Sequence, residues 1–437
     1  MTPHSPPPDQ PDNPDHSDLL DCPDRRKALR NASLWWAGLS AWPPLLAANG
    51  PGTPTERHTG RQTEKQTETQ AGMPTGSAPP FYPPAQARRL VFPRDHGAHP
   101  LFRTEWWYLT AWLGQGPSAM GFQLTFFRSR TQHAPENPSR LAPTQLLFAH
   151  AALSMAELGV FKHANRAGRL GGRLRRAEIT DTDLQLEDWH LRRATRSPSG
   201  VTAESAKTAK PLGADAADAV EATDVYSGHF AGEGFALSFE ASTRQSVLLR
   251  GSGGLSPKGP EPQQASHYYS RAPLQVTARV QLDKAITTRQ GQAWLDHEWS
   301  SQLLMPGAVG WDWLGINLLD GGTLMAYQIR NHRAEALYAH VDARDRDGRV
   351  VTGWQGLRWQ AAGSWRGPSL IDYPIPMDLW VGAQRFRLVP LMLAQEVDAR
   401  ASTGGFYWEG AVSLLQGERV LGQGYLELTG YGAPLRI

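Results

Sequence analysis

An all-β protein is predicted by three features of this 437-residue sequence. From Phe81 onward, short apolar or alternating stretches of about strand length recur between clusters of Gly, Pro, Asn and Asp. Composition agrees, because 16 tryptophans with 43 glycines and 34 prolines suit strands, turns and broad apolar surfaces better than long helices. Period-two alternation is explicit in "QVTARVQL", where Val276, Ala278, Val280 and Leu282 oppose Gln275, Thr277, Arg279 and Gln281, whereas no comparable amphipathic helix of three or more turns stands out. Many short strands at regular spacing over about 350 residues imply barrels or sandwiches, most simply two in tandem after a disordered N-terminal extension.

Residues 1–24 set Asp9, Asp12, Asp15, Asp18, Asp21 and Asp24 among Pro, His and Ser, too polar to bury a core, and are expected to be disordered. A basic cluster, Arg25, Arg26 and Lys27, then precedes a mostly apolar run from Ala32 to Ala48, the layout of an export signal over 25–48. Pro43 and Pro44 break that run, which is also shorter than the roughly 20 apolar residues a spanning helix needs, so no integral span is expected in the mature protein. The paired arginines resemble a twin-arginine signal and predict a periplasmic or secreted protein. Residues 49–80 have linker composition. Strands are then expected in "EWWYLTAWL", "MGFQLTFFRS", "LLFAHAALSM", "GFALSFEAST", "LQVTARVQL", "WDWLGINLL", "TLMAYQIR", "FRLVPLML", "YWEGAVSLL" and "GYLELTGYG". The small and polar residues 197–222 interrupt the series and read as a surface insertion.

Several function classes drop out. A formal charge of +2, from 44 basic and 42 acidic residues that are mixed rather than blocked, offers no footprint for nucleic acid. The single cysteine, Cys22, excludes a disulfide frame and a thiolate zinc site, and no metal is expected. A nucleophile elbow, a phosphate loop and a dinucleotide fingerprint are all missing, which argues against serine-hydrolase and nucleotide chemistry.

Two clusters carry chemistry. "WLDHEWSSQLL" (294–304) packs Asp296, His297 and Glu298 between Trp294 and Trp299. On a strand, Asp296 and Glu298 share one face and His297 and Trp299 the other. Two buried carboxylates on one face repel, so one pKa rises and the pair becomes a workable general acid; the same groups could instead tie a domain corner through arginine partners. The second cluster, "PRDHGAHPLFRTEWWYLTAWL", carries Asp95, His96, His99, Arg103, Glu105, Trp106, Trp107 and Tyr108. It lacks zinc-protease spacing, and Glu105 needs an arginine partner if buried. His150 sits among apolar residues, where a satisfied core hydrogen bond is the ordinary fate.

The ordered set "DHGAHPLFRTEWWYLTAWL", "GFQLTFFR", "FAHAALS", "GGLSPKG" with "SHYYSRAPL", "AWLDHEWSS", "GWDWLGINLLDGGTLMAYQIR" and "YWEGAVSL…GYLELTGY" resembles the AttH family, exported lipocalin-like proteins related to carotenoid 1,2-hydratase, also called hydroxyneurosporene synthase. Many bacterial members are labelled only as secreted hydrolases. The resemblance runs from about residue 85 to the C-terminus and implies two successive lipocalin-like domains, 81–300 and 301–437, with the boundary near Ser300.

Hydration of an isoprenoid double bond needs an acid in a dry pocket and an aromatic face for the cation, with no redox cofactor. The hydratase pattern His-x-Trp falls on His297 and Trp299, and its Tyr-x-Asp falls on Tyr327 with Ile329 in place of the acid. That substitution leaves Asp296, Glu298 or Asp312 to donate the proton. The resemblance therefore implies Asp296, His297, Glu298, Trp299 and Tyr327 as catalytic residues. It implies ligand contacts from Asp95, His99, Glu105, Trp106, Trp107, Tyr108, His150, Trp311, Asp312 and Trp313. The expected partner is a hydrophobic, isoprenoid-like small molecule, either hydrated without a cofactor or carried unchanged by a periplasmic lipophile carrier or transporter accessory protein.

Overall fold

The computed structural model describes residues 87–434 except 134–136, 138, 140–141, 198–221, 303, 348 and 353–355. The expected disordered extension, export signal and linker, and nearly all of the insertion expected at 197–222, lie outside the described residues.

Regular structure among the described residues is almost wholly β, with three single-turn 3-10 segments as the exception. The first sheet takes β1 (Thr104–Leu113), β2 (Met120–Arg130), β3 (Gln145–Met155), β4 (Val160–Arg169), β5 (Arg175–Ala177), β6 (Asp183–Leu186) and β7 (Trp189–Arg196). It continues with β8 (Thr223–Gly232), β9 (Phe235–Thr243), β10 (Leu248–Leu249), β11 (Leu255–Pro257), β12 (Ala265–Leu282) and β13 (Ala285–Ser300). The second sheet holds β14 (Gly310–Leu318), β15 (Thr323–Arg330), β16 (Ala336–Arg344), β17 (Val350–Thr352) and β18 (Arg358–Ala361). After the separate hairpin of β19 (Trp365–Arg366) and β20 (Asp372–Tyr373), it adds β21 (Met377–Val381), β22 (Gln384–Pro390), β23 (Glu396–Asp398), β24 (Phe406–Gln416) and β25 (Arg419–Leu428).

Every pairing is antiparallel, and the first sheet runs β4-β3-β2-β1-β13-β12-β9-β8-β7-β6-β5, the second β17-β16-β15-β14-β25-β24-β22-β21-β18. Because β4 also lies against β6 and β8, the first sheet curls nearly shut. Tight loops set the hairpins: Asp283, at φ +50°, turns β12 into β13, which favours a short polar residue.

Alternation decides what each face does. Trp107, Leu109, Ala111 and Leu113 of β1 point into the first barrel and join a core that includes Phe122, Leu153, Trp189 and Leu295, so the interior is filled by side chains. Leu314, Ala326, Trp408 and Leu426 fill the second barrel in the same way. Outward-facing Tyr108, Trp112, Tyr268, Trp294, Trp313, Tyr327 and Tyr425 form a third apolar cluster where the outer faces of the two barrels meet. Strands buried on both faces read as unbroken apolar runs, which is why "EWWYLTAWL" lacks polar alternation. Burying one indole there removes about 150–250 Å² from water, on the order of 4 kcal/mol before ordering costs. Gly121 permits the approach: a Cβ on it would stand 2.6 Å from both the Ala411 Cβ and the Tyr425 hydroxyl across the junction.

Candidate functional site

β13 is the element from which the site is built. Its register with β1 sets Asp296 opposite Tyr108, His297 opposite Trp107, Glu298 opposite Trp106 and Trp299 opposite Glu105. Directly opposed residues share a face, so Asp296, Glu298, Trp106 and Tyr108 look toward the second barrel while His297, Trp299, Trp107 and Glu105 look into the first.

Between the barrels lies a cavity of about 310 Å³. Trp106, Trp311, Trp313, Phe127, Phe148, Tyr268 and Tyr327 make its walls largely aromatic, and Trp106 and Trp311 lie nearly parallel with centroids 6.5 Å apart. Asp296 sits in this wall, fully buried, and accepts hydrogen bonds from the Tyr268 hydroxyl at 2.5 Å, from Trp294 Nε1 at 2.7 Å and from Ser270. Burial pushes its carboxyl up to about 6, against the opposing pull of Arg250 and of those donors. Glu298 meets Lys258 Nζ at 3.0 Å and accepts from Ser266. The Lys258 ammonium also stands over the Tyr327 ring at 4.1 Å and the Tyr268 ring at 4.7 Å, so three surrounding groups stabilise a buried cation.

Two further carboxyls face the cavity from the second barrel. Glu427 accepts from Trp311 Nε1 at 2.9 Å and is pushed by burial up to about 7. Glu409 is raised well above the ordinary range, by burial first and by Glu427 second, and its Oε1 has no hydrogen-bond partner. The cavity therefore sets three carboxyls that burial holds above their ordinary range against aromatic faces.

A second polar cluster occupies the inner end of the first barrel. His99 Nδ1 and His297 Nε2 both lie on Glu105 Oε1, at 2.7 and 2.9 Å, and Arg128 Nε donates to Glu105 Oε2 at 2.7 Å. Burial opposes ionisation of Glu105, but His99 and Arg128 outweigh it and hold the carboxyl well below its usual range. Asp95 behaves alike: burial would raise it, yet His99, Arg88 and Arg94 hold it low. His297 Nδ1 lies 3.1 Å from the Tyr269 hydroxyl, its ring stacks 4.5 Å from Trp107, and burial lowers it to about 4. Trp299 stacks on His99 at 3.7 Å. His99, Glu105 and His297 offer ligand atoms within 4.8 Å of one another, a grouping that could take a cation; with Arg128 and Tyr269 in place, each is already satisfied without one.

Of the residues singled out in the sequence, Asp296, Glu298, Tyr327, Trp106, Tyr108, His150, Trp311 and Trp313 come together on the cavity wall. Glu105 borders it, but its carboxylate is spent on the inner cluster. His297, Trp299 and Trp107 are turned away from the junction by strand alternation, and Asp95 and His99, in the segment before β1, join them in the inner cluster. Asp312 also misses the cavity and pairs with Arg330 at 2.9 Å and Gln328 at 2.6 Å. Sequence reasoning overlooked Lys258, Tyr268, Ser402, Tyr407, Glu409 and Glu427 on the wall. A signal existed for two of these: Glu409 in "YWEGAVSLL" and Glu427 in "GYLELTGYG" are lone carboxylates in otherwise apolar strands.

The AttH-like family model matches residues 83–431. A crystal structure of a protein assigned to AttH from Nitrosomonas europaea is 36% identical, has a TM-score of 0.66, and covers 81% of this chain and 99% of its own. Kievitone hydratase from Nectria haematococca, 10% identical with a TM-score of 0.55 over 82% of this chain and 96% of its own, shares the fold. No curated protein matches the chain. A family match across most of the sequence, joined to a 36% identical relative covered almost end to end, shows that this chain belongs to the AttH-like family.

Proposed function

We propose that the chain hydrates a carbon–carbon double bond in an apolar, isoprenoid-like molecule held between the barrels. The observation that carries this reading is Asp296: a buried carboxyl raised to about 6, facing a cavity walled by tryptophan and tyrosine rings. Near neutral pH part of its population holds a proton, and that proton can pass to the terminal alkene carbon. The resulting tertiary cation lies against the faces of Trp106, Trp311 and Trp313, which stabilise it. Water then bonds to the cation and returns a proton to the carboxylate, so alkene and water give a tertiary alcohol with no change of oxidation state. The fold shared with kievitone hydratase supports the reading as analogy.

A lipophile carrier is the second reading, favoured by the three hydrogen bonds that Asp296 already accepts, which steady the carboxylate rather than the acid. Incubation with an acyclic carotenoid in ¹⁸O-water separates the two. Label in a hydroxylated product, lost in Asp296→Asn, is the expected result. Stoichiometric binding with the carotenoid returned unlabelled from the wild type would establish the carrier instead.

A further inference from the structure

Along another part of the cavity wall the fold assembles a group that hydration does not use. His150 comes from β3 of the first barrel, and Ser402 and Tyr407 come from the second, more than 250 positions along the chain. Ser402 Oγ lies 2.7 Å from His150 Nε2, and His150 Nδ1 lies 2.8 Å from the Tyr407 hydroxyl, which in turn stands beside the Glu409 carboxyl. All four residues face the cavity.

The placement of Ser402 is specific. It sits between β23 and β24 in a turn whose three successive N–H groups, of Ser402, Thr403 and Gly404, converge on the Ala399 carbonyl at 2.9–3.0 Å. That turn holds the hydroxyl between the ring nitrogen at 2.7 Å and the Ala399 carbonyl at 3.1 Å, two acceptors that compete for its proton, and leaves the residue half-buried. Tyr407 holds the other end of the imidazole at 2.8 Å, and in the tautomer that carries its proton on Nδ1 the ring donates there and Nε2 accepts the Ser402 proton. A serine, a neutral histidine on its hydroxyl and a third group orienting the histidine make the arrangement of nucleophilic acyl transfer, recognised by geometry and not by sequence order.

We propose that Ser402 and His150 act as nucleophile and base in hydrolysing a carboxylic ester of an apolar acid whose chain lies along the aromatic wall. Ser402 Oγ bonds to the ester carbonyl carbon as its proton passes to His150 Nε2. The carbon–oxygen bond to the alcohol then breaks, and the departing alkoxide takes that proton. Water attacks the acyl-serine through the same base, Ser402 recovers its proton, and ester plus water have become acid plus alcohol. Thr403, next in the turn and also on the wall, offers a hydroxyl to the developing oxyanion. Burial lowers His150 to about 3, which keeps the ring neutral and ready to accept but makes the imidazolium costly. Turnover should therefore be slow, so that the first acylation registers as a burst ahead of steady hydrolysis.

The proposal is independent of hydration and is tested on the full chain, first without substitution. Folded protein is treated with a long-chain alkyl fluorophosphonate and, separately, with p-nitrophenyl decanoate; intact mass and peptide mapping locate the adduct. The expected result is one adduct per chain on Ser402, a matching burst of nitrophenol, and no adduct after heat denaturation. Ser402→Ala should abolish labelling and His150→Gln should slow it about a hundredfold or more, with melting temperature recorded for each variant. No adduct on Ser402 of the folded protein under excess probe would overturn the proposal, whichever variants fold. So would labelling that His150→Gln leaves undiminished, since the pair would then be a clasp between barrels and nothing more.

Discussion

Asp296 and His297 are joined by one peptide bond yet face different compartments: the carboxyl lines the inter-barrel cavity, and the imidazole is enclosed in the first barrel on Glu105 and Trp107. Their substitutions should accordingly differ in kind.

Asp296→Asn should keep the fold and lose hydration, whereas His297→Ala should lose stability first. Removing the His297 ring leaves a buried hole against Trp107 and takes one partner from Glu105, a cost of roughly 2–4 kcal/mol. Melting temperature and carotenoid affinity of the two variants read this directly. A His297→Ala protein that melts like the wild type while losing ligand would place the imidazole in the functional site after all.

The pH dependence of Asp296 has a definite sign. Its carboxyl is raised from 3.8 to about 6 in the folded state, so the folded protein holds a proton that the unfolded chain has released between those values. That contribution is fully present below about pH 4 and is lost as pH rises through about 6. Relative to Asp296→Asn, the wild type should therefore lose roughly 2–3 kcal/mol of stability between pH 4 and pH 7. Hydration should fall over the same upper limb as the acid ionises. Denaturant titrations of the pair at several pH values check the slope, and a constant difference would contradict it.

Lys258 and Glu298 form a buried ion pair whose members should not be removable singly. Glu298→Gln leaves the ammonium uncompensated and should cost about 3 kcal/mol or more, while Lys258→Met with Glu298→Gln should recover most of that loss. A double-mutant cycle by chemical denaturation measures the coupling, and additive effects would show that the Tyr268 and Tyr327 rings suffice for the cation.

Exhaustive chelation should leave the melting temperature unchanged, because His99, Glu105 and His297 are already satisfied by one another, by Arg128 and by Tyr269. A fall restored by added zinc would mean that an ion holds the first barrel's inner end together.

We propose export on the sequence of residues 25–48, and it can be checked directly: Arg25→Lys with Arg26→Lys should retain the protein in the cytoplasm if the twin-arginine route is used. Unchanged export of that variant would indicate the general route.

How much of this was legible depended on whether the cause was local. Strand alternation is local, so the sequence by itself determined that the chain is all-β, that Asp296 and Glu298 share a face, and that His297 and Trp299 share the other. It also carried the aromatic cluster of β1 and β14, because apolar runs announce burial before any partner is known. Which face meets a ligand is not local. Both faces of β13 are buried, one by the first barrel's own core and one by the second barrel, and only the packing of the two barrels made the Asp296 face the one that lines the cavity. The same holds for the cavity's location between the barrels, for Lys258 reaching Glu298 from forty positions away, and for His150 meeting Ser402 across the junction. Those contacts join segments distant in sequence, and no periodicity within a strand encodes them.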